Sequence, residues 1–133
     1  KIWTVPAERM KASKEHRVPL SNQVITILTS IKSNRHAEDL VFLGWKTGTG
    51  LSNGAMRTLM KKIEFGPYTP HGFRSTFRDW AADEAHTFQN ETIELALAHT
   101  IKNQAEAAYR RGDQLERRRE LMEAWSKYTE AQW

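Results

Sequence analysis

Thr69-Pro70-His71-Gly72-Phe73-Arg74-Ser75-Thr76-Phe77-Arg78-Asp79-Trp80 is the stretch on which the reading of this chain turns. Proline is tolerated in the first turn of a helix but not in its interior, and threonine is a good N-cap, so a helix opens near His71. Residues three and four apart share a helical face. His71, Arg74 and Arg78 therefore form one line, with Phe73, Phe77, Trp80 and Ala81 as the adjoining apolar stripe. Cations in a first turn oppose the helix macrodipole, an arrangement that makes sense when an anion arrives to meet them. A phosphate suits both an arginine fork and a helix N-terminus. Alone, His-x-x-Arg is a short signal, and a surface helix with solvated arginines would carry the same residues.

Composition narrows the partner. The chain has 133 residues, enough for one domain with a core of its own. Lys and Arg outnumber Asp and Glu by 20 to 16, giving +4 and a pI near 9.5, a mild preference for an anionic partner. The absence of cysteine excludes disulfides, zinc–thiolate sites and thiol nucleophiles. No apolar run approaches the roughly 18 residues of a membrane span, and no signal peptide is visible, so a soluble intracellular protein is expected. A start at Lys1 rather than methionine fits a segment of something longer.

The predicted fold is mainly α (α+β): helices with a small antiparallel sheet near the N-terminus, all in one domain over residues 1–133. Ile2 to Pro6 reads as a strand stopped by proline, His16 to Pro19 as its partner, and Ala7 to Glu15 as the turn between them. Ser21 caps a helix whose Val24, Ile27, Leu28 and Ile31 are expected in the core. Leu40 to Leu43 is expected as a short buried strand. The glycine-rich loop Gly44 to Gly50 lacks the Gly-Lys-Ser/Thr ending of a nucleotide site. Ser52 or Asn53 opens a helix with Met56, Leu59, Met60 and Ile63 inward and Arg57, Lys61 and Lys62 on the other side. Glu91 to Ala98 forms a helix with Ile93, Ala96 and Leu97 inward, leaving His99 at its C-terminal end, where a cation is favoured. Asn103 and Glu106 make a capping-box-like start, placing Tyr109 on a short helix ended by Gly112. Asp113 and Glu116 start the last helix, with Leu121, Ala124, Trp125 and Tyr128 on one side. Its Arg117, Arg118 and Arg119 alternate with Glu116, Glu120 and Glu123, and ion pairing within the helix is expected.

The order Lys11, His71-x-x-Arg74, Leu97-Ala98-His99 and Tyr109, with Pro6-Ala7-Glu8-Arg9-Met10-Lys11 ahead of it, resembles the catalytic domain of tyrosine recombinases. The likeness is to the phage P4-like integrases in particular and runs over essentially the whole chain. It implies site-specific DNA recombination through a 3′-phosphotyrosyl intermediate, on double-stranded attachment sites, by a homotetramer in the full-length protein. It implies a cytoplasmic protein encoded by a prophage or genomic island. By the same resemblance Lys11 in the hairpin enters the minor groove and protonates the leaving 5′-oxygen; Lys14 lies nearby, but the count back from Val18-Pro19-Leu20 favours Lys11. His99 hydrogen-bonds a non-bridging phosphate oxygen. The helix carrying Arg57, Lys61 and Lys62 approaches the DNA backbone. These three, with Arg78 and Lys14, are candidate phosphate contacts, which position a protein without reading sequence.

The chemistry also follows from the residues. Attack on a phosphodiester needs its charge neutralised and a nucleophile delivered in line. Arg74 can hold two non-bridging oxygens, and His71 and His99 add donors. Tyrosine, with a pKa near 10, needs a base or a cationic pocket, and His71 is the candidate base. Tyr109 follows His99 by ten residues, close to the spacing of the resembled family. Tyr68 follows Gly66-Pro67 in a loop, and Tyr128 lies on the apolar side of the last helix. No cofactor is expected, and no clustered Asp/Glu set for metal ions is present.

Two other functions share parts of this pattern. A type IB topoisomerase would use the same tyrosine chemistry, and a non-catalytic helical DNA-binding module would explain the charge but not the ordered His, Arg, His and Tyr. One part of the resembled family is missing. Its first catalytic arginine lies in a helix upstream of the Ile2–Pro6 strand, and Arg9 in the hairpin does not match it. The upstream arm-binding and core-binding domains have no counterpart either, so these residues alone are expected to be inactive or weakly active.

Overall fold

The structure, a computed structural model, describes residues 1–31, 36, 39–99 and 112–131. Pro6 ends the first strand as expected: β1 (Ile2–Val5) pairs antiparallel with β2 (His16–Pro19), with Ile2 opposite Pro19 and Val5 opposite His16. The turn between them contains one 3-10 turn at Ala7–Arg9. Five α-helices follow among the described residues: α1 (Asn22–Ile31), α2 (Ala55–Lys62), α3 (Pro70–Asp83), α4 (Asn90–Ala96) and α5 (Leu115–Ala131). The mainly helical fold with a small antiparallel sheet is thus as predicted.

The core lies where α3, α4 and α5 meet. Phe77, Trp80 and Ala81 of α3, Ala85, Ile93 of α4 and Leu121 of α5 are buried together. A seam of rings joins α3 to α5. Trp125 meets Phe77 edge-on at 5.5 Å, lies 5.0 Å from Trp80 and stacks on Tyr128 at 5.7 Å. Such pairs add to the stabilisation that comes from removing the rings from water.

Arg118 fastens the sheet to this core. Its side chain is 1% exposed. Its guanidinium donates to the Asp113 carbonyl at 2.7 Å, the Arg17 carbonyl at 2.7 Å and Asp113 Oδ2 at 2.9 Å. Arg17 of β2 completes the cluster with a bidentate grip on the same carboxylate, at 2.8 and 2.7 Å. The expectation of ion pairing along α5 is therefore corrected. Among the described residues only Arg119 with Glu116 pairs that way. Arg117 reaches Gln89, and Glu123 accepts the Asn22 backbone N–H, holding the start of α1 against α5. Asp113 acts as the hub of this cluster rather than as a helix cap.

Several stripes expected inside lie outside. Ser21 caps α1 through a hydrogen bond from the Val24 N–H, as predicted, but Val24 is 37% and Ile27 51% exposed. In α2 only Met60 is buried, while Met56, Leu59 and Ile63 are exposed. Leu40 to Leu43 are exposed as well, and Leu43 makes a single bridge to Gly50 instead of a strand. Phe73 is exposed because the buried stripe of α3 begins a turn later, at Phe77. Periodicity identifies residues that share a face; it does not supply an element to cover that face. The loop turn needs glycine at one point: a β-carbon on Gly44 would sit 2.2 Å from the Gly50 carbonyl oxygen.

The location of the core is testable by truncation. Leu121→Ala, at a side chain wholly removed from solvent, should cost about 2–5 kcal/mol in a denaturant titration. Leu59→Ala, at a side chain half in water, should cost well under about 1 kcal/mol. Equal losses would move the core. Acid should also weaken the fold. The Arg17 hydrogen bonds hold the Asp113 carboxyl below its ordinary 3.8, and burial, followed by the Arg118 charge, pushes His16 below its ordinary 6.5. Both groups then bind fewer protons folded than unfolded, so their contribution is complete above pH 6.5 and declines as pH falls through that value and again below 3.8. Thermal unfolding against pH should show both declines, and His16→Gln should remove the upper one.

Candidate functional site

The site is built on the first two turns of α3 and the end of α4. Thr69 caps α3 by accepting the Gly72 N–H at 3.1 Å, and Pro70 occupies the first turn, as the sequence implied. His71 is exposed at this terminus and Arg74 is half-buried one turn on. Arg74 donates to the Leu97 carbonyl at 2.6 Å, which fixes its guanidinium against the end of α4. One turn further along the same face, Arg78 donates to Glu94 Oε1 at 2.9 Å and to Asn90 Oδ1 at 2.7 Å.

α4 ends in a reversal that places His99. The Ala98 N–H bonds the Leu95 carbonyl at 3.1 Å and the His99 N–H bonds the Glu94 carbonyl at 3.0 Å. This is the paired closure usually made with glycine in the left-handed position, yet Ala98 holds it at φ 54°. The His99 ring returns to the helix as well, with Nδ1 2.5 Å from Glu94 Oε2. Glu94 is thereby held below the ordinary carboxylate range, first by the hydrogen bond to His99 and also by Arg78, against the opposing effect of burial. Arg74, Arg78 and His99 thus converge on one short segment, and His71 stands one turn from Arg74 on the same helix.

His99 also borders an open cleft of about 290 Å³, whose opposite wall is the hairpin with Lys14, His16 and Arg17. Of the two hairpin lysines, Lys14 lines this cleft, and Lys11 sits in the exposed turn outside it. Arg57, Lys61 and Lys62 are exposed on α2, the two lysines in its last turn, where the helix dipole favours cations. Tyr109, Arg110 and Arg111 lie outside the described residues. Of the other tyrosines, Tyr128 is engaged in the ring seam, and Tyr68 is exposed beside Phe65. No three His, Asp or Glu side chains among the described residues are grouped closely enough to hold a metal ion. No helix among them is long and apolar enough to cross a membrane.

Glu94 is the member of this constellation that sequence reasoning does not find. It precedes His99 by five residues, a spacing that shares no face on a straight helix. Only the reversal at Ala98 brings the two together. That reversal sets a prediction: Ala98→Gly should raise stability by roughly 0.5–1 kcal/mol, the relief of left-handed strain less the added freedom of the unfolded chain. Chemical denaturation measures it, and a loss of stability would contradict the assigned backbone conformation.

Comparison with known proteins extends across this whole arrangement. The model of the phage integrase family matches residues 1–116. Prophage integrase IntA of Escherichia coli K12 is 33% identical over 131 residues, which is 97% of this chain and 31% of that protein. The integrase of Enterobacteria phage P4 is 29% identical, with 96% of this chain and 33% of that protein covered. The integrase of Shigella phage Sf6 is 32% identical, with 95% and 33% covered. The chain therefore spans about a third of the length of these relatives. No solved structure matches it. With the family model matched through residue 116 and relatives 32–33% identical over almost its whole length, this chain is a member of the phage integrase family.

Proposed function

We propose that this chain supplies the cleavage chemistry of a site-specific tyrosine recombinase acting on double-stranded DNA. The observation that carries the reading is the Arg74–Leu97 hydrogen bond, which ties an arginine fork, across a separation of 23 residues, to the carbonyl two residues before His99. In this reading the scissile phosphate takes the Arg74 guanidinium, with the His99 ring and the α3 terminus as further donors. A planar fork with a fixed base suits two non-bridging phosphate oxygens.

In the proposed reaction the Tyr109 hydroxyl attacks the scissile phosphorus and passes its proton to His71. The bond from phosphorus to the 5′-oxygen breaks, and Lys11 delivers a proton to that oxygen. Lys14, on the cleft bordered by His99, is the neighbouring cation on the same hairpin. The product is a 3′-phosphotyrosyl ester and a free 5′-hydroxyl. Attack by a 5′-hydroxyl of another strand reverses the step and completes the exchange. Arg57, Lys61 and Lys62 contact phosphates away from the scissile one. The names of the relatives, integrases of phages and prophages, support integration and excision at attachment sites. Action as a homotetramer, within the bacterial cytoplasm, belongs to the same reading.

A nicked suicide DNA tests it, because loss of the cut end traps the covalent adduct. In a protein that also carries the upstream arginine, Tyr109→Phe should abolish the adduct and leave DNA affinity nearly unchanged. Arg74→Lys should lose most cleavage although charge is kept, about 10²–10³-fold if its contribution matches that of a single oxyanion donor. Adduct formation by the phenylalanine variant, or near wild-type cleavage by the lysine variant, would overturn the assignment.

A further inference from the structure

Glu94 holds His99 at both ends. Its backbone carbonyl accepts the His99 N–H at 3.0 Å, and its carboxylate lies 2.5 Å from His99 Nδ1. The other carboxylate oxygen receives Arg78 Nε at 2.9 Å, and Arg78 is itself anchored by Asn90 at 2.7 Å. A carboxylate oxygen only accepts, so the proton of this contact belongs to His99 Nδ1. A neutral imidazole free of such a partner has no reason to keep its proton there. Arg78, on the same face as Arg74, thus reaches the site through a carboxylate instead of facing solvent alone.

We propose that Glu94, braced by Arg78 and Asn90, is a positioning residue that fixes the His99 ring with its proton on Nδ1 and reserves Nε2 for the scissile phosphate. This rests on the role given to His99 above. A phosphate oxygen accepts from an N–H, so Nε2 must carry a proton when the phosphate is bound. Both ring nitrogens are then protonated, and Glu94 faces the added charge. The orientation of a histidine by a carboxylate on its far nitrogen is a general device, and where the histidine ligates a metal the loss of that carboxylate costs about 10–100-fold, the scale taken here. The low proton affinity of Glu94 agrees with an ionised partner.

Two measurements test the bracket. The first is a long-range proton–nitrogen correlation spectrum of ¹⁵N-labelled protein at alkaline pH. The His99 proton should be on Nδ1 in the wild type and should move toward Nε2 in Glu94→Ala. An Nδ1 without a proton in the wild type overturns the proposal. The second is cleavage of suicide DNA by a protein carrying the upstream arginine. Glu94→Ala should slow cleavage about 10–100-fold with little change in DNA affinity. Glu94→Gln, whose amide oxygen still accepts from Nδ1, should recover part of the rate. Adding Glu94→Ala to His99→Ala should slow cleavage no further. Additive losses, or a slow His99→Ala beside a wild-type Glu94→Ala, overturn the bracket alone. A wild-type rate in His99→Ala overturns the role given to His99, and the catalytic purpose of the bracket with it, while the spectrum still reports on the bracket itself.

Discussion

A single buried guanidinium holds together parts of this molecule that apolar contact alone would leave loosely joined. Arg118 sits inside α5 with its donors turned toward Asp113 and the backbone of β2. Removing a charge from water is expensive, and breaking one side of a buried pair costs about 3–5 kcal/mol because the other side is left uncompensated. Here the charge meets a carboxylate that a second arginine also grips. The cluster carries one negative and two positive groups, and the backbone carbonyls of Asp113 and Arg17 take up further donors. The geometry is demanding, which makes it a specifier of register: β2 fits against α5 in the one position where all these bonds form.

With the sheet fixed, α3 serves two surfaces at once. Phe77, Trp80 and Ala81 face the seam with Trp125 and Tyr128, while Arg74 and Arg78 reach across to α4. The ring seam sets the depth and rotation of α3, and that rotation aims the cationic line. A loss of packing in the seam would displace Arg74 from Leu97 without touching any polar residue. Site and core are therefore one mechanical unit, linked by the helix whose opening stretch already held both patterns.

The sequence made this helix, its cap, the hairpin and the ordered His, Arg and His legible, because each rests on local rules: proline at a first turn, threonine before it, and fixed helical spacings. It was poor at deciding what is covered. Val24, Ile27, Met56 and Leu59 show clear periodicity, yet they remain exposed, since coverage depends on elements far away in sequence. The arginines of α5 failed for a related reason. Local spacing offered Arg118 the glutamates of its own helix, but a buried guanidinium takes the partner that satisfies most of its donors, and that partner came from β2 and the turn before α5. Glu94 stayed hidden because its meeting with His99 depends on a left-handed alanine, a conformation that composition does not advertise.

The link between Arg17 and Arg118 has a kinetic side. It joins positions 101 apart, and the Ser126 bond to Gln23 spans 103. Contacts of such long range must wait for a large loop to close, and proteins rich in them fold more slowly than those built from local pairs. During synthesis the hairpin emerges before α5 and finds no place to dock until α5 has left the ribosome. For that interval the unfilled ring seam is open to other chains, beside Trp3 and the Leu40 to Leu43 segment, which stay exposed after folding as well. The bond that defines the finished register therefore also sets a period of vulnerability to aggregation, one that lengthens with any delay in completing α5.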